Sequence, residues 1–183
     1  LVKRYAKKIL VIDDLANRKH KCDLLLDQNY VHNYTNRYNN ILKKDCVKLL
    51  GPRYSLLDSS FLEKNRKVKK NRNVKNIFVF FSGSYLEKIE DIFLNILNSK
   101  EFRKFKIDFV VANKNRIKNT FIKSKINKNL KIYQPFISIA NLMKKADLAI
   151  GGGGTNTWER MFLGIPSLVL CLASNQKKVC DYL

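Results

Sequence analysis

Apolar residues fall along this chain in short bursts, and the bursts are of two kinds. Runs without helical spacing read as buried strands: residues 8–13 (Lys-Ile-Leu-Val-Ile-Asp), 23–27, 47–50, 77–81, 107–112, 130–133, 147–150 and 167–172. Between the later runs lie helical patterns. Leu86 to Leu97 sets Ile89, Ile92, Phe93, Ile96 and Leu97 on one expected face, and Ile137 to Lys145 turns Ile139, Leu142 and Met143 inward. From residue 77 onward strand and helix alternate, with near-continuous apolar strands. That pattern predicts an α/β fold with a parallel sheet covered on both faces.

The first three strands are too few for a domain of their own. Residues 1–62 are therefore expected to be the C-terminal part of a Rossmann-like domain, incomplete in this chain. Residues 63–75 are a charged, non-periodic run and read as a linker. Residues 76–183 read as a second Rossmann-like domain. The chain has 183 residues, does not begin with Met and stops inside the helix expected to start near Asn175. It reads as a piece of a longer protein, cut at both ends.

Composition narrows the function classes. The net charge of +21 invites a nucleic-acid reading, but the lysines are scattered and stand beside asparagines, as in Asn113 to Asn119 and Lys125 to Asn129. Basic stretches with interleaved aromatics are not evident, so no specific nucleic-acid partner is expected. Such a surface still attracts an anionic nucleotide. No apolar run approaches the ~20 residues of a membrane span. Cys22, Cys46, Cys171 and Cys180 lie far apart, with no CxxC or Cys/His ligand spacing. A zinc site is not expected, and neither a metal nor a cofactor is predicted. A reduced, cytoplasmic protein fits this cysteine usage.

The most informative stretch is Ala146 to Arg160, ADLAIGGGGTNTWER. It reads as a strand to Ile150, a turn of four glycines (Gly151, Gly152, Gly153, Gly154) and a helix opening at Thr155 or Asn156. Glycine lets a backbone approach an oxyanion, and the first helical N–H groups are unpaired. The same turn also suits tight packing of a helix on a sheet. It is neither GxGxxG nor a Walker loop. Glu159 stands one turn into the helix, within expected reach of a ribose diol. Ser82, Gly83 and Ser84 end another strand and either touch phosphate or sugar or form a plain turn.

Several separated motifs carry a family resemblance. Tyr133 to Ile137, Leu142 to Ile150, Gly153-Gly154-Thr155 with Glu159, Leu163 to Pro166 and Asn175-Gln176 resemble the C-terminal domain of sugar-nucleotide enzymes with the GT-B fold, which the peptidoglycan N-acetylglucosaminyltransferase shares. Val11 to Ala16 with Arg18 and His20, Cys22 to Asn29, and Leu50 to Leu57 look like the UDP-2,4-diacetamido-2,4,6-trideoxy-β-L-altropyranose hydrolases of the pseudaminic acid pathway. The resemblance implies a GT-B-like pair of Rossmann-like domains and hydrolytic release of UDP from that sugar. It implies UDP on Gly151 to Thr155, Glu159 on the ribose, the backbone near Ile137 on uracil, and Asn175 facing the sugar and the base. The family's general base is a histidine in an N-terminal Gly-x-Gly-His segment, which this chain lacks. That base is therefore expected outside these residues, leaving His20 and His32 structural or solvated. Two other readings stay open: a glycosyltransferase using the same UDP-sugar donor, and a UDP-sugar-binding fragment without turnover.

Overall fold

The computed structural model describes residues 4–62, 73–81, 87–112, 127–134 and 138–183. They divide into two compact units, residues 1–56 with 173–183, and residues 57–172.

The first unit holds a parallel sheet of β1 (Leu10–Ile12), β2 (Leu24–Asp27) and β3 (Val47–Leu50), in that order. Leu10 stands opposite Leu24, and Leu24 opposite Val47. Cys22, Leu25, Tyr38 and Cys46 form its buried cluster.

The second unit is a five-stranded parallel sheet. Its strands are β4 (Asn76–Phe80), β5 (Lys106–Val110), β6 (Leu130–Tyr133), β7 (Leu148–Gly152) and β8 (Ser167–Leu170), in the order β6-β5-β4-β7-β8. Among the described residues the α-helices are α1 (Ser59–Leu62), α2 (Glu87–Leu97), α3 (Ile139–Met143), α4 (Asn156–Phe162) and α5 (Lys177–Cys180). The pleat sends alternate residues to opposite faces. Ile77, Val79, Ile107 and Phe109 pack with Leu94 and Leu97 of α2. Phe78, Phe80 and Val110 pack with Ala140, Leu142 and Met143 of α3 and with Phe61 of α1. Each of these Ile, Val, Leu, Phe and Met side chains, fully buried, contributes about 1.5–3 kcal/mol. The α/β class with parallel sheets, expected from the strand–helix alternation, is what the chain adopts.

Several boundaries differ from the sequence reading. Residues 57–62 fold with the second unit, because Phe61 and Leu57 join its core. Residues 173–183 group with the first unit. Most of the expected linker, residues 63–72, lies outside the described residues. On α2 the buried face runs through Glu90, Leu94 and Leu97, whereas Ile92 and Ile96 are exposed. The buried Glu90 carboxylate accepts the Ala112 backbone N–H at 2.9 Å, which satisfies a polar group on the inward face of α2.

The four-glycine turn is also shorter than expected. Gly151 and Gly152 are the last two residues of β7, with Gly151 paired to Phe80 and Val169. A Cβ on Gly151 would sit 2.4 Å from Arg160 Nη1 and 2.7 Å from the Phe80 carbonyl oxygen. That glycine serves the close approach of strand, neighbour and buried arginine. The turn proper is Gly153 to Thr155.

Candidate functional site

In the second sheet the chain runs from β4 outward through β5 to β6, and from β7 outward to β8 on the other side. The order therefore reverses between β4 and β7. Ligands of open α/β sheets sit at the carboxyl ends of the strands flanking such a switch point. The glycine turn follows β7 there. Ser82, Gly83 and Ser84, which follow β4, lie outside the described residues, as does Ile137.

The turn is held from beneath. Arg160 is 1 % exposed, and its Nη2 donates to the Gly152 carbonyl at 2.8 Å and to Thr157 Oγ1 at 3.0 Å. Thr157 Oγ1 donates to the same carbonyl at 3.2 Å. The Gly153 N–H is committed to the Leu170 carbonyl at 3.1 Å. The turn's remaining N–H donors are those of Gly154 and Thr155. Thr155 occupies the N-cap position of α4 without a side-chain cap bond. The hydroxyl and amide run Thr155-Asn156-Thr157 thus divides its work. Thr157 ties down the strand end, and Asn156 Nδ2 donates to Glu159 Oε2.

Glu159 lines a cavity of about 500 Å³ with Asp58, Ser60, Phe61, Ser138, Ile139 and Ala140. This joins two sequence motifs: the ribose candidate and the start of α3, next to the residue expected at the base. Burial raises the Glu159 pKa, against the Asn156 hydrogen bond and the Arg160 charge, while Asp58 pushes it up further. Asp58 is fixed as the first residue of a turn, its Oδ1 accepting the Ser60 N–H at 2.9 Å. Sequence reasoning missed Asp58, because residues 57–62 had been placed with the other domain. It missed Arg160 because no pattern marks a buried arginine under a glycine strand.

Asp147, which precedes β7, lies at the amino-terminal end of that strand, opposite the glycine turn. Its Oδ2 accepts from the Asn76 N–H at 2.8 Å and from Asn76 Nδ2 at 3.0 Å, anchoring the start of β4. Among the described residues no cluster of three His, Cys, Asp or Glu side chains suits a metal ion. No helix there is long and apolar enough to cross a membrane.

Asn175 stands in a single helical turn, Ser174–Gln176, just ahead of α5 in the first unit. That unit has its own polar centre, which the sequence did not show. Tyr38, with no exposed surface, places its hydroxyl 2.9 Å from Asp13 Oδ2 and 3.0 Å from Asp27 Oδ2. Arg37 Nη1 donates to Asp27 Oδ2 at 2.7 Å and Nη2 to the Asp14 carbonyl at 3.1 Å. Burial raises the Asp27 pKa despite the Asn29 N–H and Arg37. For Asp13 burial is outweighed by the Ala16 N–H, the Tyr38 hydroxyl, His20 and Arg18, and its pKa falls. The Tyr38 hydroxyl is pushed well above its ordinary value by burial and the two carboxylates. His20 Nε2 lies 3.5 Å from Asp13 Oδ1, whereas His32 is exposed and shares a hydrogen bond with the Tyr182 hydroxyl. Beside this centre Leu15, Ala16, Val31, His32, Arg37, Lys178, Asp181 and Tyr182 line a cavity of about 420 Å³.

Comparison with known proteins places the chain. A protein of Helicobacter pylori named as pseudaminic acid cytidylyltransferase and UDP-2,4-diacetamido-2,4,6-trideoxy-beta-L-altropyranose hydrolase is 29 % identical over 179 residues, covering 96 % of this chain and 32 % of that protein. A protein of Campylobacter jejuni named as the same hydrolase is 25 % identical over 179 residues, covering 96 % of this chain and 62 % of its own length. An uncharacterized protein of Methanocaldococcus jannaschii is 26 % identical over 211 residues, covering 98 % of this chain and 43 % of that protein. The chain therefore spans less than two thirds of each of these relatives. Among solved structures, one titled as the glycotransferase of kitacinnamycin superposes with a TM-score of 0.56 at 12 % identity, over 87 % of this chain and 38 % of that one, a likeness of fold. The family model described as protein of unknown function (DUF354) matches residues 12–183, and the chain belongs to that family.

Proposed function

Starting from that membership, we propose that the chain carries the UDP-binding part of an enzyme that hydrolyses a UDP-linked 2,4-diacetamido-2,4,6-trideoxy sugar. The observation that carries the reading is the placement of Glu159. A half-buried carboxylate lines a cavity beside the start of α3, one helical turn beyond the Gly153–Thr155 turn at the sheet's switch point. The names of the two bacterial relatives support the hydrolase over the other sugar-nucleotide reactions.

In this reading the leaving diphosphate lies against the Gly154 and Thr155 N–H groups, with Gly151 to Gly153 forming the bed beneath. Fixed donors stabilise charge that develops as the anomeric C–O bond breaks, because they need no reorganisation at that moment. Glu159 accepts from the ribose diol, and Asn156 holds its carboxylate in place. The segment at Ile137 reads the uracil edge, and Ser82 to Ser84 approach phosphate or sugar. Asn175 positions the sugar or the base through its match to the Asn-Gln motif. Water is the nucleophile, and its base is a histidine of a Gly-x-Gly-His segment such as the family uses. No metal takes part in this reading.

Calorimetric titration of UDP tests the nucleotide site. Glu159→Ala is expected to weaken UDP binding by roughly 1–3 kcal/mol, the range for losing a charged hydrogen-bond partner. Unchanged affinity would remove the ribose assignment. Release of UDP from the altropyranose substrate by the full-length protein tests the reaction, and transfer to a sugar acceptor in place of water would favour a glycosyltransferase.

A further inference from the structure

We propose that Cys22 and Cys46 are an oxidation site, a thiol pair that a small peroxide converts to a disulfide. The two sulfurs lie 3.6 Å apart, and the residues are 3 % and 5 % exposed. The sheet sets this spacing. Cys22 precedes β2 by two residues and Cys46 immediately precedes β3. The parallel ladder begins beside them, with the Val47 N–H donating to the Asp23 carbonyl at 2.9 Å. Closing to a bond of about 2.05 Å requires the sulfurs to approach by roughly 1.5 Å, within the reach of side-chain rotation.

The other two cysteines stand elsewhere in the sequence. Cys171 is exposed and belongs to the second unit, and Cys180 sits on α5. Burial selects the oxidant. Hydrogen peroxide is small and uncharged, whereas a bulky disulfide such as oxidised glutathione needs an exposed sulfur. One thiol gives up its proton and its sulfur attacks a peroxide oxygen; the O–O bond breaks and the leaving hydroxide takes up that proton, giving a sulfenic acid and water. The second thiol attacks that sulfur; the S–S bond forms, the S–O bond breaks and the oxygen leaves as a second water. Two thiols and one peroxide give one disulfide and two waters, the sulfurs supplying the two electrons that reduce the peroxide.

The consequence is local to the first unit. The thiols pack in one cluster with Tyr38, whose hydroxyl bridges Asp13 and Asp27. The segment they would close carries Asp27, Arg37 and Tyr38, and also Val31 and His32 of the cavity wall. A cross-link at its two ends restricts the unfolded chain and holds that wall against the sheet.

The test treats the full chain with hydrogen peroxide, alkylates the remaining thiols under denaturing conditions and maps peptides by mass spectrometry. The expected result is a Cys22–Cys46 cross-linked peptide lacking two hydrogens, reversed by dithiothreitol. The thermal midpoint of the oxidised chain should lie several degrees above that of the reduced chain. Alkylation of both thiols after oxidant, oxygen addition without cross-linking, or a cross-link that pairs either cysteine with Cys171 or Cys180 would overturn the proposal. Cys46→Ala should abolish the cross-link; if that variant fails to fold, the map of the unmutated chain decides alone.

Discussion

In the second unit five strands bury Ile77, Val79, Ile107 and Phe109 on one face and Phe78, Phe80 and Val110 on the other, with helices against both. In the first unit three strands close around Tyr38, two carboxylates and an arginine, while Leu10, Ile12 and Val47 remain more than half exposed. The apolar unit gains its stability from area removed from water, so many residues share the load. The polar unit depends on a few hydrogen bonds among buried groups, and each missing partner leaves a desolvated charge. A substitution should therefore be absorbed in the second unit unless it strikes backbone, and felt sharply in the first wherever it removes one polar atom.

The largest expected effect breaks the tolerance of the second unit at the point where backbone is involved. Gly151→Ala drives a methyl to 2.7 Å from the Phe80 carbonyl oxygen and 2.4 Å from Arg160 Nη1. The arginine tip can shift, but its Nη2 holds the Gly152 carbonyl, and Phe80 is on the central strand. We expect a loss of about 3 kcal/mol in denaturant unfolding, at the upper end for overpacking. A loss below about 0.5 kcal/mol, the surface-substitution range, would show that β7 does not lie so close to its neighbour.

Next comes the first unit's hydroxyl. Tyr38→Phe keeps the ring in the cluster and removes only the oxygen between Asp13 and Asp27. The expected cost is about 2 kcal/mol, the usual range for a hydrogen bond to a charged group. The pH response sharpens the test. Asp13 is depressed in the folded state, so its contribution is present above the ordinary carboxylate range and is lost as pH falls through its lowered value. Asp27 is raised, so its contribution is fullest below the ordinary carboxylate range and is lost as pH rises through its raised value. Unfolding midpoints measured from mild acid downward should show a smaller Asp13 response in Tyr38→Phe. Superimposable profiles would mean that the hydroxyl does not hold Asp13 in its charged form.

The same contrast explains what was legible from the sequence. Strand–helix alternation and runs such as Ile77 to Phe81 identify the second unit, because area burial leaves a periodic trace. Glu159 stands out as a candidate by its distance from the glycines. The Asp13–Tyr38–Asp27 centre was not, because its members come from three places in the chain and polar residues carry no period. The split of the glycines between strand and turn depends on Arg160, nine residues after Gly151, and nothing in the local pattern marks that approach. Asp58 was hidden by the domain boundary, since the residues before the charged run look the same whichever core they join.

The smallest expected effect concerns Glu159, where the two kinds of environment meet: a carboxylate set in the apolar unit. Burial raises its pKa, with Asp58 adding to the shift and Asn156 and Arg160 opposing it. A raised carboxyl stabilises the fold most below its ordinary range, and that contribution is lost as pH rises through the raised value. Binding of a ribose diol has the opposite sign, because the anion is the stronger acceptor for two hydroxyl donors. As pH falls through the raised value, UDP affinity should therefore decline by a few-fold while the protein itself gains stability. Glu159→Gln removes the titration, so its UDP affinity should be weaker at neutral pH and lack that decline in mild acid. UDP itself takes up a proton near pH 6, as phosphates do, and uridine is the control, since it carries the diol without the phosphates. A uridine affinity that stays flat with pH in the unmutated chain would detach Glu159 from the ribose and leave it as a half-buried partner of Asn156.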